Sequence, residues 1–312
     1  MPRTKLWLVA TALAAVYFAW GSTYLGIRYA IVEMPVFAMC ALRFLIAGAL
    51  LIGLGKLRGE PWPGAIEWKG AAIAGILMLG LANGAVTLAE RTVPSGVAAL
   101  IAATTPLLLF MIERFRADGE RAGKGGTAGL LVGFAGVAVL LWPALAGSTR
   151  FGLGSDLAIL MVAPVCWAAG TAFGRRHALP AGLLVSAGGQ TLIAGAFHLA
   201  IALALGEVPR AWHPYTAATW GAVGYLIVVG SLVGYTAFAY LVREVPPSLA
   251  ASNAYVNPVV AVILGAVVAH EPVTSSILLG SVMVVGAVVL LAWPNLRAAS
   301  AASRSGILAD RR

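Results

Sequence analysis

"VPSGVAALIAATTP", residues 93–106, and "VPPSLAASNAYVNP", residues 245–258, are one pattern written twice. Pro94 matches Pro246 and Pro106 matches Pro258, both at an offset of 152. "LLWP" at 140–143 matches "LAWP" at 291–294 at an offset of 151. "LIAGA" at 45–49 recurs intact at 192–196, offset 147, and the same offset pairs Trp20 with Trp167 and Arg28 with Arg175. These anchors fall in one order along the chain, the signature of an internal repeat about half the chain in length.

The chain between the anchors is apolar. Of 312 residues 60% are hydrophobic and 11% charged, and mean hydropathy is +0.91. An ordinary soluble domain carries about 25% charged residues, so a chain this apolar cannot cover a water-facing surface. Apolar stretches near the length that crosses about 30 Å of hydrocarbon as a helix recur throughout. Ten are read, at 7–27, 35–55, 69–89, 95–115, 124–142, 153–173, 181–205, 216–239, 247–268 and 274–293. The runs are continuous rather than alternating, which selects helices over strands. The first, following Arg3 and Lys5, reads as a signal-anchor rather than a cleaved signal.

Five spans per repeat is an odd number, so the second half enters the membrane from the opposite side. The expected fold is therefore an all-α membrane protein of ten transmembrane helices, built as two inverted five-helix repeats. The repeats run over 1–148 and 149–294, and 295–312 form a cytoplasmic tail. Charge placement agrees. Of the 21 Lys and Arg, sixteen fall on one side, while Arg28, Arg91, Arg150 and Arg210 fall on the other and Arg43 lies inside a span. Basic loops mark the cytoplasmic face, so both termini are expected there, in the inner membrane. The net charge of +9 thus reads as topology, and nucleic acid is not an expected partner; small-molecule substrate and membrane lipid are. Inverted repeats are the build of many secondary transporters, with the site at the midplane between the halves.

"FAWGSTYLGIRYAI" (18–31), "ALRFLIAGALL" (41–51), "GLANGAVTLAERTVPSGVAAL" (80–100) and "SNAYVNPVVAVILG" (252–265) resemble the EamA family of the drug/metabolite transporter superfamily, and within it the YedA-type inner-membrane exporters. The resemblance runs from about residue 10 to 294. It implies ten helices, a central cavity formed largely by helices 1, 3, 4, 6, 8 and 9, a peripheral helix 2, and export of small metabolites.

Polar residues inside apolar spans mark candidate sites, since in lipid they must face protein or water. Asn253 and Asn257 are one helical turn apart, with Tyr255 between them, and Pro258 frees the Ala254 carbonyl. Thr105 and Pro106 are the repeat mates of Asn257 and Pro258, so both halves are expected to break a helix at equal depth. Asn83 and Thr87 share a face of span 3, and Glu90 closes it, expected at the outer mouth as a gate or a partner for Arg91. Trp20 and Thr23 in span 1, Trp167 in span 6 and Tyr235 in span 8 complete the candidate substrate-binding set. For each of these groups the competing reading is helix packing, in which amides and hydroxyls bridge helices and prolines bend them. Arg43, whose mate is Gln190, is either a counter-ion for a substrate carboxylate or bonded to loop carbonyls or Glu33. The carboxylates all lie at span ends, in loops or in the tail, which leaves no midplane proton relay; His198 reads as packing. Gly125, Gly129 and Gly133, and Ser276 with Gly280, form small-residue faces for bundle packing or a homodimer.

No Cys or His spacing suggests a metal site, and no cofactor or catalytic residue is expected; Cys40 and Cys166 read as packing residues. Convergent acids, bases or a nucleophile, which a membrane enzyme would need, are absent from the pattern. The sequence thus points to a secondary transporter exporting amino acids, amines or drug-like compounds by alternating access. A carrier of lipid head groups or sugar-nucleotides is the alternative.

Overall fold

In a computed structural model, the structure describes residues 3–114, 124–145, 155–208, 214–245, 253–287 and 289–290. These residues are helical rods joined by short turns, with no strand among them. The rods are α1 (Arg3–Ala30), α2 (Val36–Leu57), α3 (Ala65–Ala89), α4 in two pieces (Ser95–Ala102 and Thr105–Arg114), α5 (Lys124–Leu145) and α6 (Ser155–Gly174). There follow α7 (Leu183–Ala204), α8 (Ala217–Leu241), α9 (Asn253–Val268) and α10 (Ser275–Ala287). Seven described helices are long and apolar enough to cross a membrane: α1 to α4 and α6 to α8. Leu131–Leu140 within α5, Val256–Val268 within α9, and α10 are shorter apolar helices.

The closest pairing is α2 against α7, and glycine makes it possible. A Cβ on Gly48 would stand 2.5 Å from the Leu192 amide nitrogen, and one on Gly195 would stand 2.6 Å from that of Leu45. Gly48 and Gly195 are repeat mates, and so are Leu45 and Leu192. The two contacts are therefore one contact seen twice, exchanged across the crossing. Other packings come in the same mirrored pairs: α1 lies on α8 and α9, and α6 on α3 and α4.

Helix starts show the same exchange. α2, α4 and α7 begin after Pro35, Pro94 and Gly182, which offer no side-chain acceptor for the first amide groups. Carboxylates from other segments take that role. Glu207 accepts from the Ala38 amide at 2.9 Å, and its mate Glu60 accepts from the Val185 and Leu184 amides at 2.8 and 3.1 Å. Glu271 accepts from the Ser95 amide at 2.9 Å and the Gly96 amide at 3.3 Å, and Glu33 accepts from Thr216 and Thr219 at the start of α8. A negative charge there also meets the positive end of the helix dipole. Four of the carboxylates at span ends or in loops, Glu33, Glu60, Glu207 and Glu271, are in this way helix caps.

Two features differ from expectation. α4 does break next to its proline, at Ala103–Thr104, but α9 runs as a helix through Pro258. Pro258 is the sixth residue of that described helix and leaves the Ala254 carbonyl without its usual amide donor. The other feature is new: α3 and α8 each contain a wider, π-helical stretch, Ile76–Ala82 and Leu226–Val233, at nearly equivalent places in the two halves. Of the two small-residue faces, Gly133 of α5 packs against Leu107 and Ala287 and Gly280 of α10 against Leu140; nearby, Gly136 packs against Met283 and Val284 of α10.

Candidate functional site

A cavity of about 630 Å³ lies between the two halves. Its walls come from α1 to α4 and α6 to α9. Eight of the ten candidate substrate-binding residues line it: Trp20, Thr23, Asn83, Thr105, Trp167, Tyr235, Asn253 and Asn257. Thr87 does not; it is fully buried and bonds back to the Asn83 carbonyl at 2.9 Å. Tyr255 belongs to α9, but its side chain lies outside the described ones.

The cavity residues occur as repeat mates. Trp20 faces Trp167 edge-on, with ring centroids 5.6 Å apart and planes at 82°. Arg43 and Gln190 both line the space, as do Asn83 and Tyr235, and Thr105 and Asn257. The offsets of 147 and 152 thus converge on one chamber.

Trp20 is held from several sides. Its ring packs against Phe238 at 4.8 Å and Tyr235 at 6.4 Å between centroids, and its Nε1–H donates to the Gly230 carbonyl at 3.2 Å. That carbonyl lies in the π-helical stretch of α8, where the shifted ladder can leave backbone acceptors for side chains. Gly234, one turn on, lets the indole approach; a Cβ there would stand 2.8 Å from Trp20 Nε1. The matching stretch of α3 is used alike, the Leu79 carbonyl accepting from His198 Nε2 at 3.1 Å. His198 is buried among Phe37, Phe44 and Phe197, which makes it the packing residue expected.

Polar groups gather at the α2–α7–α8 wall. The Tyr235 hydroxyl donates to Gln190 Oε1 at 2.9 Å, and Gln190 Nε2 donates to Ser186 Oγ at 3.4 Å. Arg43 donates through Nε to Ser231 Oγ at 2.9 Å and lies 4.8 Å over the Phe44 ring. The expected bond to Glu33 is not made. The resemblance put helix 2 at the periphery, yet Arg43 lines the cavity. Ser231 and Ser186 were not singled out from the sequence, and Gln190 was named there only as the repeat mate of Arg43.

Glu90 also departs from expectation. It is 1% exposed rather than open at a mouth, it does not line the cavity, and neither carboxyl oxygen has a hydrogen-bond partner. Arg91 beside it is exposed. Near that end of the bundle Arg28 pairs with Glu271, Nε to Oε1 at 3.5 Å, tying α1 to the segment that caps α4. At the far end the lining runs out to Gly174, Arg175 and Leu179–Ala181, in the turn between α6 and α7.

Apolar helices long enough to cross a membrane, packed around an internal, partly polar chamber, are the build of a membrane transport protein. The EamA-like transporter family matches the chain twice, over residues 6–142 and 155–293, and the chain belongs to that family. It is similar to the inner membrane transporter YedA of Escherichia coli K12, at 37% identity over 281 residues, covering 90% of this chain and 89% of that protein. It is also similar to the transporter YvbV of Bacillus subtilis, at 25% identity over 308 residues, 93% and 92% of the two chains. A solved crystal structure with 21% identity matches at a TM-score of 0.61, over 90% of this chain and 95% of that one, which shows a shared fold. The chain is thus an EamA-family membrane transporter.

Proposed function

We propose that this transporter exports small metabolites, such as amino acids, amines or drug-like compounds, across the cytoplasmic membrane by alternating access. Ten transmembrane helices form two inverted repeats, 1–148 and 149–294, with both termini and the tail 295–312 cytoplasmic. The observation that carries this reading is the chamber lined by mated residues from both halves: Trp20 with Trp167, Arg43 with Gln190, Asn83 with Tyr235, and Thr105 with Asn257. Inverted repeats around one site allow the halves to exchange conformations, turning an inward-open shape into an outward-open one. The exchanged Gly48–Leu192 and Gly195–Leu45 contacts support that symmetry, and the double family match supports the repeat boundaries.

The lining reaches the α6–α7 turn with Arg175, on the side richer in basic residues. By the charge rule that side is cytoplasmic. The opposite end is held by Arg28–Glu271 and the Glu271 cap on α4. This supports an inward-open state. A counterflow screen in proteoliposomes with amino acids, amines and cationic drugs tests the reading. Saturable, protein-dependent exchange of at least one compound is expected; no protein-dependent flux of any small molecule would overturn it.

A further inference from the structure

Arg43 carries a charge that no carboxylate contacts among the described residues. It is 4% exposed, in the interior of α2. Of its donors, Nε–H reaches Ser231 Oγ and Nη1 has no partner. No described carboxylate pairs with it. Glu33, Glu60, Glu207 and Glu271 are committed to helix starts. Glu90 is buried with no hydrogen bond to it and acts on its charge only at a distance. A guanidinium in a low-dielectric interior is strongly unfavourable unless a charge or several hydrogen bonds meet it. The ring of Phe44 offers only a weak cation–π contact.

The side chain is also fixed in place. A Cβ on Gly230 would stand 2.9 Å from Arg43 Nη2 and 2.7 Å from Thr23 Cγ2, so the α8 backbone presses against the guanidinium. Its repeat mate, Gln190, is neutral and already accepts from Tyr235. The α2 wall of the chamber is therefore cationic and the mated α7 wall an amide. A rigid, planar, partly unbonded guanidinium on the wall of a cavity is suited to a carboxylate, which a two-donor fork meets in plane. Arg175, the other lining arginine, stands at the α6–α7 turn where the lining runs out, so at the Arg43 wall one cation meets a monoanion.

We propose that Arg43 forms an anion subsite of the cavity, binding the carboxylate of a substrate whose flat apolar body lies against the Trp20–Trp167 pair. This rests on the reading of the cavity as a transport site and names the substrate class it takes: organic monocarboxylates, zwitterions included. Until the substrate arrives, Ser231 and the Phe44 ring are the contacts that orient the guanidinium.

The test uses three radiolabelled probes with the same ring: phenylacetate, phenylacetamide and phenethylamine. Their equilibrium binding to the purified full chain in nanodiscs is measured by scintillation proximity. Phenylacetate should bind at least about tenfold more tightly than the other two, the scale of a charge-assisted pair. Arg43→Gln should erase that preference, and Arg43→Lys should keep part of it. Glutamine already stands at the mated position of α7, so Arg43→Gln is sterically modest. Were it to misfold, the three-probe comparison on the unaltered protein would still decide. Equal binding of the three probes, or undiminished phenylacetate binding in Arg43→Gln, overturns the subsite but leaves the cavity reading standing. No binding by any probe overturns the subsite too, while the counterflow screen judges transport separately.

Discussion

Adding one methyl group at Gly48 should damage the bundle as much as adding one at Gly195, 147 residues away in sequence. A Cβ on Gly48 would be 2.5 Å from the Leu192 amide nitrogen, 0.9 Å inside the 3.4 Å at which ordinary contact begins. On Gly195 the corresponding distance is 2.6 Å to Leu45. In both cases the obstacle is backbone, which cannot rotate away, so α2 and α7 must separate. Overpacking of this kind costs about 1–3 kcal/mol. Both sites load the same crossing, so Gly48→Ala/Gly195→Ala should cost less than the sum of the singles, because the first methyl has already parted the helices. Gly53 in α2 has nothing within 4 Å of its added Cβ. Gly53→Ala should therefore be neutral or stabilising by up to about 1 kcal/mol, from helix propensity alone. Reversible unfolding in mixed detergent–SDS micelles measures all four variants. A Gly48→Ala as harmless as Gly53→Ala, or a costly change at one mate with none at the other, would refute the exchanged packing.

Asn257→Ala should weaken substrate binding by about 1–3 kcal/mol, the cost of leaving an apposed polar group unpaired, with little change in melting temperature. Its Oδ1 has no protein partner in the cavity wall, so reduced folded protein with normal binding would assign it to helix packing instead. Glu90→Met should raise melting temperature or leave it unchanged, because it removes two buried oxygens that have no donor; a large drop would reveal a partner for the carboxylate. Reporter fusions at 150 and 210 should read extracytoplasmic and fusions at 121 and 176 cytoplasmic, from the charge map. Reversal in one half alone would remove the inverted repeat.

Much of this was legible in the sequence because the repeat writes each feature twice. Trp20 with Trp167 and Thr105 with Asn257 were paired by offset alone, and the structure brings each pair to one chamber. Arg43 was placed poorly for a physical reason. α2 is apolar on all faces, so its periodicity does not say which side turns inward. The close α2–α7 approach through Gly48 and Gly195, which sets that orientation, is a contact between distant segments. The π-helical stretches were invisible because "ILMLGLA" (76–82) is ordinary helical sequence. Trp20 and His198, which use carbonyls in these stretches, lie on other helices. Pro106 and Pro258 looked equivalent, yet only α4 breaks, since a proline's effect depends on where the helix begins. Glu90 looked like a mouth residue because it ends a span; burial by neighbouring helices overrides that position.

Alternating access is tested most directly by asking from which side the chamber can be reached. With Cys40 and Cys166 replaced by alanine, Asn83→Cys places a thiol on the cavity wall. A membrane-impermeant thiosulfonate then probes oriented vesicles from each face. The inward-open state predicts labelling from the cytoplasmic face. Arg28→Gln removes the contact with Glu271 and should shift the population outward, so cytoplasmic labelling falls as outer labelling rises. Labelling that rises from both faces together would mean a pore, and labelling indifferent to Arg28→Gln would mean that this contact closes nothing; either result contradicts the account.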